Sequence, residues 1–431
     1  MALPKAKEDA LAARLQALPV AAGKGWLAAV RAEALARLTV MGLPARRDEY
    51  WRYTDPASLN APEAPVAHSF DASDESEPFD GMDRLKIVFV DGVFDPAASD
   101  DLTLSGVIIE RLAEAGSKDI HWAQGLYGVL ETRGQDPVAR PFAALNSAFA
   151  TDGVLIHVTG KAAKPVSLVY VHESEVSDAI LHHCVKLDPG ASLTLLENGP
   201  AAARLNKVME VEVADGASFH HIRLQGRDHE RRAVTHLFAR LGARSELRSF
   251  TLTANGRLTR NESVLELAGA EGRAHLAGAT VGDGEFHHDD TVFVTHAAEA
   301  CESRQVYKKV LMNGAVGVFQ GKILVKPGAQ KTDGYQISQS LLLDEDSQFL
   351  AKPELEIYAD DVKCSHGSTS GAIDEVALFY LQSRGVPRRT AQALLVLAFL
   401  AEAIQEVADE DIAEDIRARL ERWLARHGSK G

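Results

Sequence analysis

Cys364 and His366 are the pair whose types and spacing could do chemistry. They lie in "YADDVKCSHGSTSG" (Tyr358 to Gly371), just ahead of a Gly- and Ser-rich break. On an extended segment, side chains alternate faces. Asp360, Val362, Cys364 and His366 then share one face, and Asp361, Lys363 and Ser365 share the other. Two steps of strand rise separate the Cα atoms of Cys364 and His366 by roughly 7 Å, so both could reach one metal ion or one small group. Three chemistries fit. An imidazole beside a thiol can give a nucleophilic thiolate, although no oxyanion motif accompanies it. Thiolate plus imidazole also suits a soft or borderline metal or sulfur chemistry, but two ligands do not close a tetrahedral site. The third reading is structural: a small buried thiol and a capping histidine at the end of the stacked strands.

"GEFHHDDTVFVTH" offers a second row. As a strand it sets His288, Asp290, Val292, Val294 and His296 on one face, either as ligands or as a hydrogen-bonded sheet face. His182-His183 and His220-His221 fall in repeating segments, where stacking ladders explain them.

These residues need strands to hold them. From about Arg84 to Val362 short strand-like runs dominate, among them "LKIVFV", "GVLIHV", "VSLVYVH", "VMEVEV" and "GKILVK", separated by turn residues. The best helical window inside this zone is Lys118 to Glu131. Gly-Ala recurs at Gly190, Gly216, Gly242 and Gly269, at intervals of 26, 26 and 27 residues. A hairpin meander has no such fixed period. Coils of two or three short strands stacked in parallel register do, with Gly-Ala at one tight corner. The expected fold is therefore mainly β, a parallel β-solenoid.

Helical regions flank it. Leu11, Leu15, Leu18, then Leu27, Val30, Leu35 and Leu38 recur at three- and four-residue spacings between Lys7 and Tyr53. After Ile373, "DEVALFYLQSR" carries Val376, Phe379 and Tyr380 on one stripe. "AQALLVLAFLAEAI" is apolar nearly all round, and "DEDIAEDIRARLERWLARHG" runs from acids to Arg, His and Gly, as a helix dipole and C-cap prefer. With few local helices to cover Ala391 to Ile404, part of that face is expected to meet a partner. The expected organisation is a helical region at 1–60, a Pro-, Ser- and Asp-rich linker at 61–83, a β-helix at 84–370 and a helical domain at 371–431.

Bulk properties narrow the function. The formal charge of −15 argues against a nucleic-acid binder. Three cysteines without a C-x-x-C pair argue against a disulfide framework and for a reducing compartment. No signal-like run opens the sequence, and the most apolar stretch is too short to span a bilayer. A cytoplasmic protein with no membrane segment is expected.

"NGAVGVFQGKILVKPGAQKTDGYQISQSLLLDEDSQFLAKPELEIYADDVKCSHGSTSGAIDEVALFYLQSRGVP" (Asn313 to Pro387) closely resembles the core signature of the SufB/SufD family of iron–sulfur cluster assembly proteins. "HHDDTVFVTHAAEACESRQVYKKVL" is similar to the segment that precedes it. "RDEYWRYTDPASL" resembles the E-x-W-[KR]-Y-T element of the SufD branch, and the "KCSHG" form points the same way. The resemblance implies a right-handed parallel β-helix between two helical regions. It implies a non-catalytic scaffold or accessory subunit of a SufBCD-type complex, with a SufB-like paralogue and the SufC ATPase as partners. A homodimer where SufB is absent is left open.

The resemblance further implies that Cys364 and His366 sit at the SufB interface and serve cluster assembly or iron entry, with Asp360, Asp361 and Lys363 in support. His288, Asp290 and His296 remain secondary candidates. Tyr380, Ser383, Arg384, Gly385 and Pro387 fall where SufC would dock, and deleting Asp374 to Gly431 is expected to abolish that docking. No cofactor is expected to be permanently bound. Iron or an iron–sulfur cluster would be held transiently and shared with SufB. The chain has no G-x-x-x-x-G-K-[ST], so ATP would act only through SufC. Two alternatives stand beside this: a β-helix carbohydrate-active enzyme, suggested by Asp- and His-bearing strands, and a purely architectural partner of an ATPase.

Overall fold

The computed structural model describes residues 3–19, 25–69, 77–226 and 229–427. Residues 70–76 of the expected linker and the expected C-cap Gly428 lie outside them.

Two sheets make a flattened parallel solenoid of about seven turns. One sheet has ten strands and the other nine, and the chain passes from one to the other twice per turn. Each turn therefore contributes two strands, most of them about ten residues long. Ser192 pairs with Ser218, Ser218 with Glu246, and Glu246 with Arg273. Arg273 pairs with Glu302, Glu302 with Asp333, and Asp333 with Lys363. The coil thus lengthens from 26 residues at its start to about 30 at its end.

The corner that follows the nine-stranded sheet explains the Gly-Ala period only in part. A left-handed residue recurs there once per coil, at Gly190, Gly216, Arg244, Glu271, Ala300 and Lys331. Each donates its N–H to the corner of the next coil, as Gly190 does to Asp215 O and Arg244 to Ala270 O. Glycine occupies that position only twice. Gly269 serves closeness instead: a Cβ there would lie 2.1 Å from the Ala243 nitrogen.

Both sheets are covered on both sides. Between them lies a core of Leu, Ile, Val and Ala, from Leu85 and Ile156 to Val294 and Phe319. Helices Lys5–Ala17, Trp26–Met41 and Pro141–Phe149 cover the outside of the nine-stranded sheet, burying Ile180, Val208 and Val234. Helices Arg388–Ile404 and Glu410–His427 cover the outside of the ten-stranded sheet over Ile222, Phe250, Leu252 and Val306. Strands buried on both faces read as apolar runs without clean alternation, as this sequence does. The window Lys118–Glu131 breaks into a 3-10 turn at Trp122–Gly125 and the short helix Val129–Arg133. Phe79, at the end of the expected linker, is buried and donates its N–H to Asp415 on the last helix.

The "EYWRYT" element straps the N-terminal region onto the solenoid. It begins as a 3-10 turn, Glu49–Trp51. The Tyr50 carbonyl accepts from Arg260 (2.8 Å) and Gln320 (3.1 Å), Trp51 lies under the Arg260 guanidinium, and Thr54 donates to Asp289 (2.6 Å). Arg260 also pairs with Asp289 and with Glu262 (2.8 Å), which Arg140 holds at 2.9 Å. Burial favours a protonated Glu262, but Arg260, His236 and Arg140 outweigh it and hold the carboxyl at about 2. Removing one partner from such a buried cluster strands a charge. Asp289→Ala is expected to lower unfolding free energy by about 3–5 kcal/mol, read as a shift in denaturant midpoint.

Candidate functional site

The two ends of the solenoid differ. At the start, the ten-stranded sheet closes on a three-residue antiparallel strand, Val93–Asp95, and the nine-stranded sheet on the five-residue antiparallel strand Val107–Arg111. Short antiparallel edges blunt further pairing. At the other end, Val362–Gly371 and Gln348–Ile357 are ten residues each and pair on one side only. Their free edges carry unpaired backbone donors and acceptors, a template for another strand.

Cys364 and His366 lie on this last strand and on its inner side. Cys364 stands opposite Gly334 and packs beside Ile323, Val325 and Ala329 at the open mouth of the core. It is half-buried, and His366 is exposed. Glycine at 334 leaves the thiol its room: a Cβ there would sit 3.2 Å from Sγ. Gly334→Ala is expected to displace Sγ toward the open end and to speed its alkylation about tenfold in a thiol-labelling assay, at a cost below about 1.5 kcal/mol in stability. Burial pushes the Cys364 thiol up and Asp333 adds to this, with the Gly334 backbone pulling the other way. A thiol so placed stays protonated at neutral pH until a cation draws off its proton. Among the described residues no hydrogen bond joins it to His366, so the pair lacks the contact a Cys-His nucleophile uses.

The supporting residues are less tightly gathered. The strand begins at Val362, so Asp360 sits in the bend before it and the alternation does not extend to it. Asp361 is fixed through its backbone, donating to Gln330 Oε1 and accepting from Lys331. Lys363 is exposed on the outer side.

His288, Asp290 and His296 share an inner face, but deep in the solenoid and away from its open end. His288 contacts Asn261, Thr280 and Lys309, and Asp290 pairs with Lys309 at 2.6 Å. His296 bonds Ser303 at 2.8 Å. Burial, Lys309 and Arg231 keep His288 well below the usual histidine range, so it stays neutral.

A polar seam inside the core was not visible in the sequence. One inner row of the ten-stranded sheet runs from His221 through Ser249, Leu276, Gln305 and Gln336 to His366. The next runs from Glu197 through Arg223, Thr251, Gly278, Tyr307 and Ser338 to Ser368. Gln336 donates to Gln305 (2.6 Å), and Ser338 to Ser368 (3.0 Å). Period-two alternation within the separate strands carried the signal, but only the register connects them.

The tightest His, Cys and acid grouping among the described residues is elsewhere. His182, Cys184 and Glu210 hold their ligand atoms within 4.8 Å of one another, buried under the N-terminal helices. Their bonds are already spoken for. Glu210 accepts from the Gly128 and Glu131 amides and from His182, whose other nitrogen meets Asn146. His182 stacks on Tyr127, and His183 points inward to Tyr170. In the next coil Val208 and Met209 stand beside His182 and His183, so these histidines form no ladder.

After the last strand, three residues lead into helix Glu375–Ser383, capped by Asp374 through the Val376 and Ala377 amides. Only Leu378 of this helix is buried. Its stripe faces solvent: Val376 is 77%, Phe379 71% and Tyr380 57% exposed. Arg384 stacks on the Tyr380 ring and donates to its hydroxyl at 2.7 Å. Ser383 bonds the Tyr380 carbonyl, Gly385 turns the chain with φ +85°, and Pro387 leads into the next helix.

Fold and site define a class: a parallel β-solenoid that ends in a Cys- and His-bearing strand with one free edge and runs straight into a helical domain. Residues 170–399 match the SufBD core domain of the SUF system for FeS cluster assembly, and residues 21–167 match the SufBD protein N-terminal region. The chain is 30% identical to the iron–sulfur cluster assembly protein SufD of Escherichia coli, over 90% of this chain and 91% of that one. It is 26% identical to Bacillus subtilis SufD, over 92% and 94% of the two chains. A SufBD family protein of Synechocystis is 26% identical over 85% and 84%. The chain belongs to the SufB/SufD family, and its role lies in iron–sulfur cluster assembly. Among the described residues no helix is long and apolar enough to cross a membrane.

Proposed function

We propose that this chain is a scaffold subunit of a SufBCD-type complex that holds half of an assembly site. The observation that carries this reading is the asymmetry of the solenoid. One end is blunted and the other is left as two ten-residue strands, each with one free edge, with a thiol and an imidazole at its mouth. A second solenoid with a like open end, a SufB-like paralogue, would continue the pairing and bring the further donors that a thiol and an imidazole lack. Iron or a nascent cluster is the cargo of that shared site, not a resident cofactor. The exposed aromatic stripe of helix Glu375–Ser383, with Ser383, Arg384, Gly385 and Pro387 at its turn, docks the SufC ATPase, through which ATP acts. The carboxylates that a carbohydrate-active site would need, Glu262, Asp289 and Asp290, are buried and ion-paired, which weighs against that alternative.

The test is purification of the native complex from its own cells without oxygen. A SufB-like chain and an ATPase are expected to co-purify, with charge-transfer absorption in the visible. A chain recovered alone and colourless would defeat the reading.

A further inference from the structure

Two buried guanidinium groups in the solenoid interior lack an acidic partner of their own. Arg223 donates from one terminal nitrogen to Thr235 Oγ1 at 2.8 Å, but its Nε is buried and has no partner. The acids nearest in charge are taken: Glu197 by Lys207 and His221 (2.6 Å), and Asp290 by Lys309 (2.6 Å). Arg231 is fully buried, and two of its three nitrogens, Nε and Nη1, are without partners. Its third reaches only neutral oxygens, Gln225 O, Asn255 O and Thr259 Oγ1, at 3.1–3.4 Å.

Arg223 lines a cavity of about 20 Å³, together with Lys207, Thr235, Asn261 and Asp290. A single water needs about 10–15 Å³ on this measure. There is room for one small ligand. A guanidinium keeps its proton, so an uncompensated one in a dry interior calls for a negative partner. Water would satisfy the hydrogen bond but not the charge.

We propose that this cavity binds one halide-sized monovalent anion, held by Arg223 Nε and offsetting the charge of Arg223 and its neighbour Arg231. Chloride and hydrosulfide share that size and charge. The site stands on the interior charge alone and does not depend on how the open end is used.

The probe is bromide. Full-length protein purified and crystallised in sodium bromide is expected to show an anomalous peak in the cavity against Arg223 Nε. Its thermal midpoint is expected to rise with bromide beyond the rise in methanesulfonate of equal ionic strength. Arg223→Gln is expected to lose both the peak and the anion dependence. Competition separates the sources: displacement of bromide at lower concentration by hydrosulfide, without oxygen, than by chloride identifies sulfide as the occupant, and the reverse identifies halide. Water-like density with no anomalous signal overturns the proposal, as does a bromide dependence that survives in Arg223→Gln. Should that variant fail to fold, the wild-type crystal decides alone.

Discussion

His366→Ala is expected to leave the complex assembled but to weaken its hold on iron or cluster by about tenfold or more. The histidine is exposed on the last strand, so removing it opens no cavity and should move folding free energy by less than about 0.5 kcal/mol. Cys364→Ser is the companion change. Its thiol is half-buried beside Gly334 and Ile323, so a small stability loss will accompany any loss of metal. The measurement is iron and acid-labile sulfide per complex, together with a melting curve and the subunit ratio on a sizing column. Unchanged iron in both variants, with the complex intact, would leave an architectural role only.

Phe379→Ala with Tyr380→Ala is expected to weaken ATPase binding by at least about 30-fold, the effect of losing a single strong aromatic anchor. Both rings are exposed, Tyr380 with only the exposed Arg384 against it, on a helix whose one buried side chain is Leu378, so folding should be untouched. Deleting Asp374 to Gly431 is a poorer experiment than the sequence suggested. Helices Arg388–Ile404 and Glu410–His427 cover Ile222, Phe250 and Leu252 on the ten-stranded sheet, and their removal would bare that sheet to water. Loss of binding in the truncated chain would then report damage to the solenoid as well as loss of the docking surface. A pull-down with the double variant, beside an unchanged melting curve, separates the two. Retention of the ATPase at wild-type strength would place its docking surface elsewhere.

Much of the architecture was legible because stacked coils repeat. The Gly-Ala spacing gave the period, yet by a partial coincidence. Gly190 and Gly216 occupy the left-handed corner, whereas in the next coils that corner passes to Arg244 and Glu271, and Gly269 answers a steric need. Arginine or glutamate in a left-handed corner leaves no mark that composition can detect. The same limit applies to the site. Cys364 and His366 were readable because they are local, two residues apart on one strand. The polar seam, the Arg260–Asp289 strap under "EYWRYT" and the unpaired Arg223 were not. Contacts such as Arg223–Thr235 and Tyr50–Gln320 join residues 12 and 270 apart in sequence, and only the fold makes them neighbours. The stripe of Val376, Phe379 and Tyr380 was visible, but not which way it pointed, because periodicity does not say whether an apolar face is covered by its own chain.

Only Ala372, Ile373 and Asp374 separate the end of strand Val362–Gly371 from helix Glu375–Ser383. Fully stretched, three residues span roughly 10 Å. That is the whole slack between the surface proposed to grip a motor and the strand that bears the thiol and imidazole. A larger stroke of the helix cannot be absorbed by the connection, so traction on one becomes displacement of the other. Inserting a few glycines after Gly371 would slip this clutch while leaving each part intact.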